Sequence, residues 1–166
     1  MSNSLSRFLF VLFLLQLSCN KGVEANGARE KYPPDNKELV TITQGIWGNV
    51  WFWEGDFQPF SWGKITAVSR KIYFYEATRW DSVEPPNGDW YRKINSMIVD
   101  SALSTANGFY QITLQPGEYS IFVKEDTSYY ANWFSVRSGL WYILPVPVSK
   151  DSVTKFQIDI TYKAAF

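Results

Sequence analysis

Residues 107–125, NGFYQITLQPGEYSIFVKE, are the part of this chain that most restricts its fold. Apolar and polar side chains alternate on both sides of a Pro-Gly pair, and successive side chains of a β-strand point to opposite faces. The pattern therefore predicts two short strands. The apolar residues that share a face are Tyr110, Ile112 and Leu114 in the first strand and Tyr119, Ile121 and Val123 in the second.

The segment between these strands, Gln115-Pro116-Gly117-Glu118, is typical of a type II turn. Proline presets φ at the second position of such a turn, and glycine supplies the positive φ at the third. Asn107-Gly108 is a further turn signal just upstream. Together these features predict a half-buried antiparallel hairpin.

Two absences exclude most enzyme mechanisms. The 166 residues contain no histidine and one cysteine, so a Ser-His-Asp triad, a Cys-His pair and an HExxH zinc site are ruled out. One cysteine makes neither an internal disulfide nor a cysteine-rich metal cluster. Hydrolysis by carboxylates alone and lysine nucleophiles stay open, but the expectation is a non-enzyme without cofactor or metal.

Composition indicates one folded domain with a large core. Sixteen basic and sixteen acidic residues cancel, and no basic face suggests binding to nucleic acid. Aromatic residues make up 18% of the chain, which is far from the composition of a disordered protein.

The N-terminus has the parts of a secretory signal peptide, predicted over residues 1–18. Arg7 precedes an apolar run over residues 8–15, and Ser18 precedes Cys19. A lone cysteine at the expected cleavage point resembles a bacterial lipobox, in which the cysteine becomes acylated. Cys19 is therefore the predicted lipid-attachment residue, although Gln16 and Leu17 depart from the strict pattern. The alternative is an ordinary cleaved signal peptide in which Cys19 is incidental.

Residues 19–41 are polar and rich in Gly, Pro and charge, which predicts a flexible tether. Several acyl chains would anchor such a protein stably in the membrane. Asn20 after the cysteine resembles lipoproteins of the outer membrane, so the expected location is the cell envelope. Which side of that membrane the protein faces is left open.

From residue 42 onward the alternation predicts seven strands and no helix, which favours a two-sheet β-sandwich. Pro145 and Pro147 limit their segment to an edge or connecting role, because proline cannot donate to a ladder. The predicted strands span residues 43–54, 70–78, 95–104, 108–114, 118–125, 129–136 and 153–162.

The stretch ANGFYQITLQPGEYSIFVKE resembles the characteristic motif of carboxypeptidase-regulatory-like domains, which are transthyretin-like (prealbumin-like) sandwiches. ITQGIWGNVWFWEGDFQP resembles the first strand of that family, with Ile46, Gly48 and Val50 inward, and the ending FQIDITYKAAF looks like a group of bacterial lipoproteins with this domain. The resemblance covers about residues 42–166. Ser104-Thr105 stand where the family often has Thr-Asp.

The resemblance implies a non-catalytic domain that helps proteins meet other molecules. Zinc carboxypeptidases carry it only as an accessory, and their metal ligands include histidine. The related urate-pathway hydrolases use histidines and a C-terminal Tyr-Arg-Gly-Ser, whereas this chain ends TYKAAF.

The first strand offers a candidate ligand-binding face. If Ile46 and Val50 point inward, then Trp47, Trp51 and Trp53 point outward and form a platform for a sugar or a protein. The alternative is that adjoining aromatic loops cover this face. Two weaker candidates are a groove lined by YYANWF (residues 129–134) and a calcium site among the loop carboxylates, which lack the spacing of a calcium loop.

These observations predict a lipid-anchored β-sandwich of the cell envelope that mediates protein interaction, as an accessory or adhesion-type subunit. The alternative is a carbohydrate-binding lipoprotein that captures polysaccharide on a tryptophan face. The expected partners are membrane lipid through acylated Cys19 and an envelope protein or a polysaccharide.

Overall fold

A computed structural model describes residues 32–61, 63–84 and 88–166. The predicted signal peptide and Cys19 lie outside these residues. The described part contains thirteen strands and two short 3₁₀ turns at Lys37–Leu39 and Trp80–Ser82. The strands are β1 (Gly45–Asp56), β2 (Lys64–Ala67), β3 (Lys71–Glu76), β4 (Trp90–Tyr91), β5 (Ile98–Leu103), β6 (Phe109–Ile112), β7 (Gly117–Glu125), β8 (Ser128–Tyr130), β9 (Phe134–Arg137), β10 (Leu140–Ile143), β11 (Pro145–Val148), β12 (Val153–Lys155) and β13 (Ile158–Ala165).

The first sheet is organised around β1, its longest strand. β1 pairs in parallel with β12 and β13 and antiparallel with β2 and β6. Its apolar positions Ile46 and Val50 are fully buried, as is Ile160 on β13. The inward positions predicted for Ile46 and Val50 are confirmed.

The second sheet has the order β4-β8-β7-β3-β5, and β11 pairs with β7. Ile72, Phe74 and Ile121 are fully buried and belong to the same core cluster as Ile46 and Val50. The protein is therefore an all-β sandwich, as the sequence predicted. β11 pairs with one strand only, so the edge position expected from its prolines is also confirmed.

The predicted hairpin of residues 107–125 does not form. β6 pairs with β1 in the first sheet and β7 pairs with β3 in the second, so the connection crosses from one sheet to the other. Gly117 is not among the glycines with positive φ, so the expected type II turn is wrong as well. The physical reason is that Leu114, which follows β6, is 3% exposed and packs in the core. Alternation fits two strands that face each other across a core as well as two strands side by side.

Two of the seven predicted strands are interrupted. The segment predicted as 129–136 divides into β8 and β9, and the segment predicted as 153–162 divides into β12 and β13. The second break occurs at Phe156, whose backbone N–H donates to the Trp47 carbonyl while its own carbonyl accepts from the Tyr110 hydroxyl. Side-chain alternation does not register such a local departure from the ladder.

β7 is buried on both faces. Ser120 and Phe122, on the face away from Ile121, are fully buried. The Phe122 ring meets the Tyr75 ring edge-to-face at 5.6 Å and the Tyr91 ring at 5.4 Å, a favourable geometry for aromatic pairs. A layer of rings therefore covers the outer side of the second sheet.

We expect this protein to lose stability as the pH rises above 10. Burial, with a contribution from the Asp89 carboxylate, raises the pKa of Tyr91 from 10.0 to about 12, and burial raises the pKa of Tyr110 well above its ordinary value. Between pH 10 and 12 the folded state therefore holds protons that the unfolded chain releases, so stability falls with rising pH.

Spectrophotometric titration of tyrosinate, with the native and the urea-unfolded protein side by side, checks this expectation. The native protein should show a delayed fraction of tyrosines that ionise only as unfolding begins. Titration of all tyrosines at the ordinary pKa in the native state would contradict it.

Candidate binding surface

Residues 32–41, which we call the strap, lie against part of the predicted tryptophan face. Trp47 is 6% exposed, and Trp51 and Trp53 are half-buried. The Tyr32 ring of the strap lies 5.5 Å from the Trp51 ring and 5.8 Å from the Trp53 ring. The described end of the predicted tether is thus part of the sandwich surface.

The strap is held by a small polar network centred on Asn36, which is 5% exposed. Its amide Nδ2 donates to Asn49 Oδ1 at 2.7 Å and to the Asn107 carbonyl at 3.0 Å, and its Oδ1 accepts from Asn107 Nδ2. Asn49, which has no exposed surface, donates to the Asp35 carbonyl at 2.6 Å. Asn36 adopts φ of 57°, a left-handed conformation that asparagine tolerates better than most residues.

Trp53 is enclosed by neighbours from both ends of the described chain. Its Nε1 donates to Asp159 Oδ1 at 2.9 Å, and the Phe57 and Phe166 rings lie 5.1 and 6.1 Å from its ring. Burial raises the pKa of Asp159, and the hydrogen bond from Trp53 partly opposes that shift. Trp47, Trp51 and Trp53 therefore form a packing surface and no open platform.

This arrangement corresponds to the alternative that the face is covered. The cover differs from the one expected, because the strap and the C-terminal Phe166 contribute as well as the loop residue Phe57. The composition of residues 32–41 concealed this role, which rests on the ring of Tyr32 and the amide of Asn36.

The aromatic surface that is open to solvent lies elsewhere, on the β9–β10 hairpin and the 3₁₀ turn at Trp80–Ser82. We call it the aromatic platform. Its exposed fractions, between 38% and 54%, show that a whole cluster of large apolar side chains faces water, which is uncommon on a soluble protein. The platform comprises Trp80, Trp133, Phe134, Val136, Leu140 and Trp141.

The platform is held in place by local contacts. Ser138 and Gly139, the two loop residues of the β9–β10 hairpin, both have positive φ, which is the requirement of a tight type I′ turn. The Phe134 ring lies 4.7 Å from the Trp141 ring and 6.4 Å from the Trp80 ring. Arg137 forms an ion pair with Glu118 of β7.

A shallow cleft of about 320 Å³ opens between Trp80 and Trp141. Arg79 and Asp81 line a separate, smaller cavity of about 180 Å³ that is also lined by Trp80 and Trp141, and these two side chains form an ion pair with each other. The two cavities thus combine two indoles with one donor and one acceptor group whose charges cancel.

The sequence analysis placed YYANWF among the weaker candidates, and its residues divide between core and surface. Tyr130 is 2% exposed and belongs to the core cluster. Trp133 and Phe134 are 54% and 46% exposed and lie on the platform. Single-strand alternation missed this division because the chain leaves the ladder between β8 and β9.

A second apolar area lies on the edge strand β5 and just before it, where Met97, Ile98 and Leu103 are exposed. The pairing of β5 with β3 contains a bulge, and the Ser101 backbone N–H donates to the Asp100 carboxylate at 2.6 Å. Bulges and charged residues protect edge strands from pairing with other chains. This edge is therefore less suited to docking than the platform.

Among the residues whose structure is described, no cluster of three or more acidic or cysteine side chains is arranged to hold a metal ion. The helical turns in the same residues are too short to cross a bilayer. Comparison with known proteins found no matching family, no matching curated protein and no matching solved structure.

Proposed function

We propose that this protein is a non-catalytic interaction module of the cell envelope, an accessory or adhesion-type subunit that docks another envelope molecule on its aromatic platform. The observation that carries the proposal is the exposure of three tryptophans and a phenylalanine on the β9–β10 hairpin, the residue before it and the neighbouring turn. Burial of tryptophans typically dominates the affinity of an interface.

The transthyretin-like identity of the sandwich and the lipid anchor on Cys19 belong to the same proposal. Support for the first is the resemblance of residues 42–166, and support for the second is the cysteine that follows an apolar run and Ser18. Acylation would keep the platform close to envelope partners, because several acyl chains make membrane attachment stable.

The platform is a better candidate docking surface than the Trp47, Trp51 and Trp53 face. A partner reaches the platform without rearrangement, whereas the other face would first have to lose the strap. Docking of a polysaccharide, the alternative function, therefore also has its best candidate site on the platform.

Photo-crosslinking in intact cells tests the proposal with the full chain. A diazirine amino acid at Val136, on the platform, should yield adducts, and the same residue at exposed Lys163 on β13 serves as the matched control. Adducts at Val136 that disappear in Trp141→Ala support a docking surface here. Absence of adducts at Val136, or equal adducts at both positions, would contradict it.

A further inference from the structure

The cleft between Trp80 and Trp141 differs from the rest of the platform in shape and in polarity. Most of the platform is an apolar surface that could meet any apolar partner. The cleft, in contrast, is concave, and Arg79 and Asp81 lie in the smaller cavity that shares its two indoles. These properties restrict the chemistry of a ligand, provided that the platform is the docking surface proposed above.

The walls of the cleft favour a flat ring with apolar faces. Trp80 is 39% exposed and Trp141 is 48% exposed, so both indoles present area to a ligand. Each indole also packs against a neighbouring ring. The Trp80 ring lies 6.2 Å from the Tyr91 ring, and the Trp141 ring lies 4.7 Å from the Phe134 ring. The faces of aromatic rings carry partial negative charge and attract weakly positive C–H groups.

The smaller cavity favours a ligand with hydroxyl groups and no net charge. The Arg79 guanidinium offers several N–H donors and the Asp81 carboxylate offers acceptor oxygens. Since the two groups pair with each other, their charges are already balanced. An anionic ligand would compete with Asp81, and a cationic ligand would compete with Arg79.

We propose that this cleft binds a neutral sugar ring, carried by a polysaccharide or by a glycoprotein of the envelope. A pyranose has C–H faces that stack on indoles and a perimeter of hydroxyls that both donate and accept hydrogen bonds. A cleft of about 320 Å³ is within the range of small-ligand sites, whereas a protein partner would use the whole platform.

The test is binding of full-length protein, purified in detergent, to an array of oligosaccharides, followed by calorimetric titration of the best ligand. The array includes neutral polysaccharide fragments, oligosaccharides of the kind found on glycoproteins, and uronic-acid or sulfated chains. Binding to neutral members of either group supports the inference, and the group that binds identifies the source. Binding only to charged chains would overturn it.

Trp141→Ala is expected to weaken binding by at least about tenfold, because it removes one wall of the cleft. Arg79→Met, which keeps both indoles, should weaken it by a similar factor. Phe60→Ala is the matched control, because Phe60 is a fully exposed aromatic side chain that lies outside the platform. Equal losses in all three variants would overturn the assignment of the site.

The outcomes also separate this inference from the proposed function. Discrete protein adducts at Val136 without binding to any oligosaccharide would overturn the sugar site and leave the interaction module in place. Failure of both experiments would overturn both.

Discussion

Replacing Gly48 by alanine is expected to prevent stable folding, with a loss of at least about 3 kcal/mol in the free energy of unfolding. A Cβ at this position would lie 1.8 Å from the carbonyl oxygen of Phe156 and 3.2 Å from the Tyr110 ring. The obstacle is backbone, so a change of rotamer cannot relieve it. Phe156 is also fixed by its hydrogen bonds to Trp47 and Tyr110.

Urea unfolding followed by circular dichroism measures this effect. Gly117→Ala is the control, because the nearest atom to a Cβ there is 3.4 Å away and its φ is not in the positive region. Alanine at that position should be neutral or stabilising by up to about 1 kcal/mol, through the lower entropy of the unfolded chain. A stable Gly48→Ala protein would contradict the close approach of β1 to Phe156.

The second large effect is expected from Asn49→Leu, which removes the polar partner of the strap. Leucine branches at Cγ as asparagine does, but it neither accepts from Asn36 nor donates to the Asp35 carbonyl. Buried polar groups left without partners cost about 1–3 kcal/mol each. We therefore expect a loss of about 3 kcal/mol and release of the strap.

Stability in urea and trypsin cleavage after Lys37 are the two readouts, since Lys37 lies in the strap. Asn132→Leu is the control, because its exposed side chain donates to the Asp159 carbonyl at 3.0 Å near the surface. It should cost less than about 1 kcal/mol and leave cleavage at Lys37 unchanged. Equal effects in the two variants would show that the Asn36 network does not hold the strap.

The fold class could be predicted from sequence because the alternation of apolar and polar side chains along a strand shows which face of that strand is buried. Ile46, Val50 and Ile121 all occupy the inward positions that the pattern assigns. The partner of each strand could not be predicted in the same way. Residues 107–125 contain the pattern and the turn residues of a hairpin, yet long-range pairing with β1 and β3 places the two strands in different sheets.

The candidate site was harder to predict, because exposure depends on segments that are distant in sequence. Trp51 and Trp53 carry the right side chains for a platform, but Tyr32 and Phe166 lie against them. Trp80 and Trp141 form a cleft only because the β9–β10 hairpin folds beside the 3₁₀ turn. The one local signal was Ser138-Gly139, a turn dipeptide between two short apolar segments.

The pairing of β1 with β13 also has a consequence for the order in which this protein folds. Val50 and Ile158 are partners although they lie roughly 100 residues apart in sequence. Such distant contacts require closure of a long loop before any stabilisation is gained, and they make folding slow. The first sheet is complete only when β13 has joined it, so a chain still being synthesised would leave one edge of β1 unpaired. That interval is when this protein is most exposed to aggregation and most dependent on chaperones.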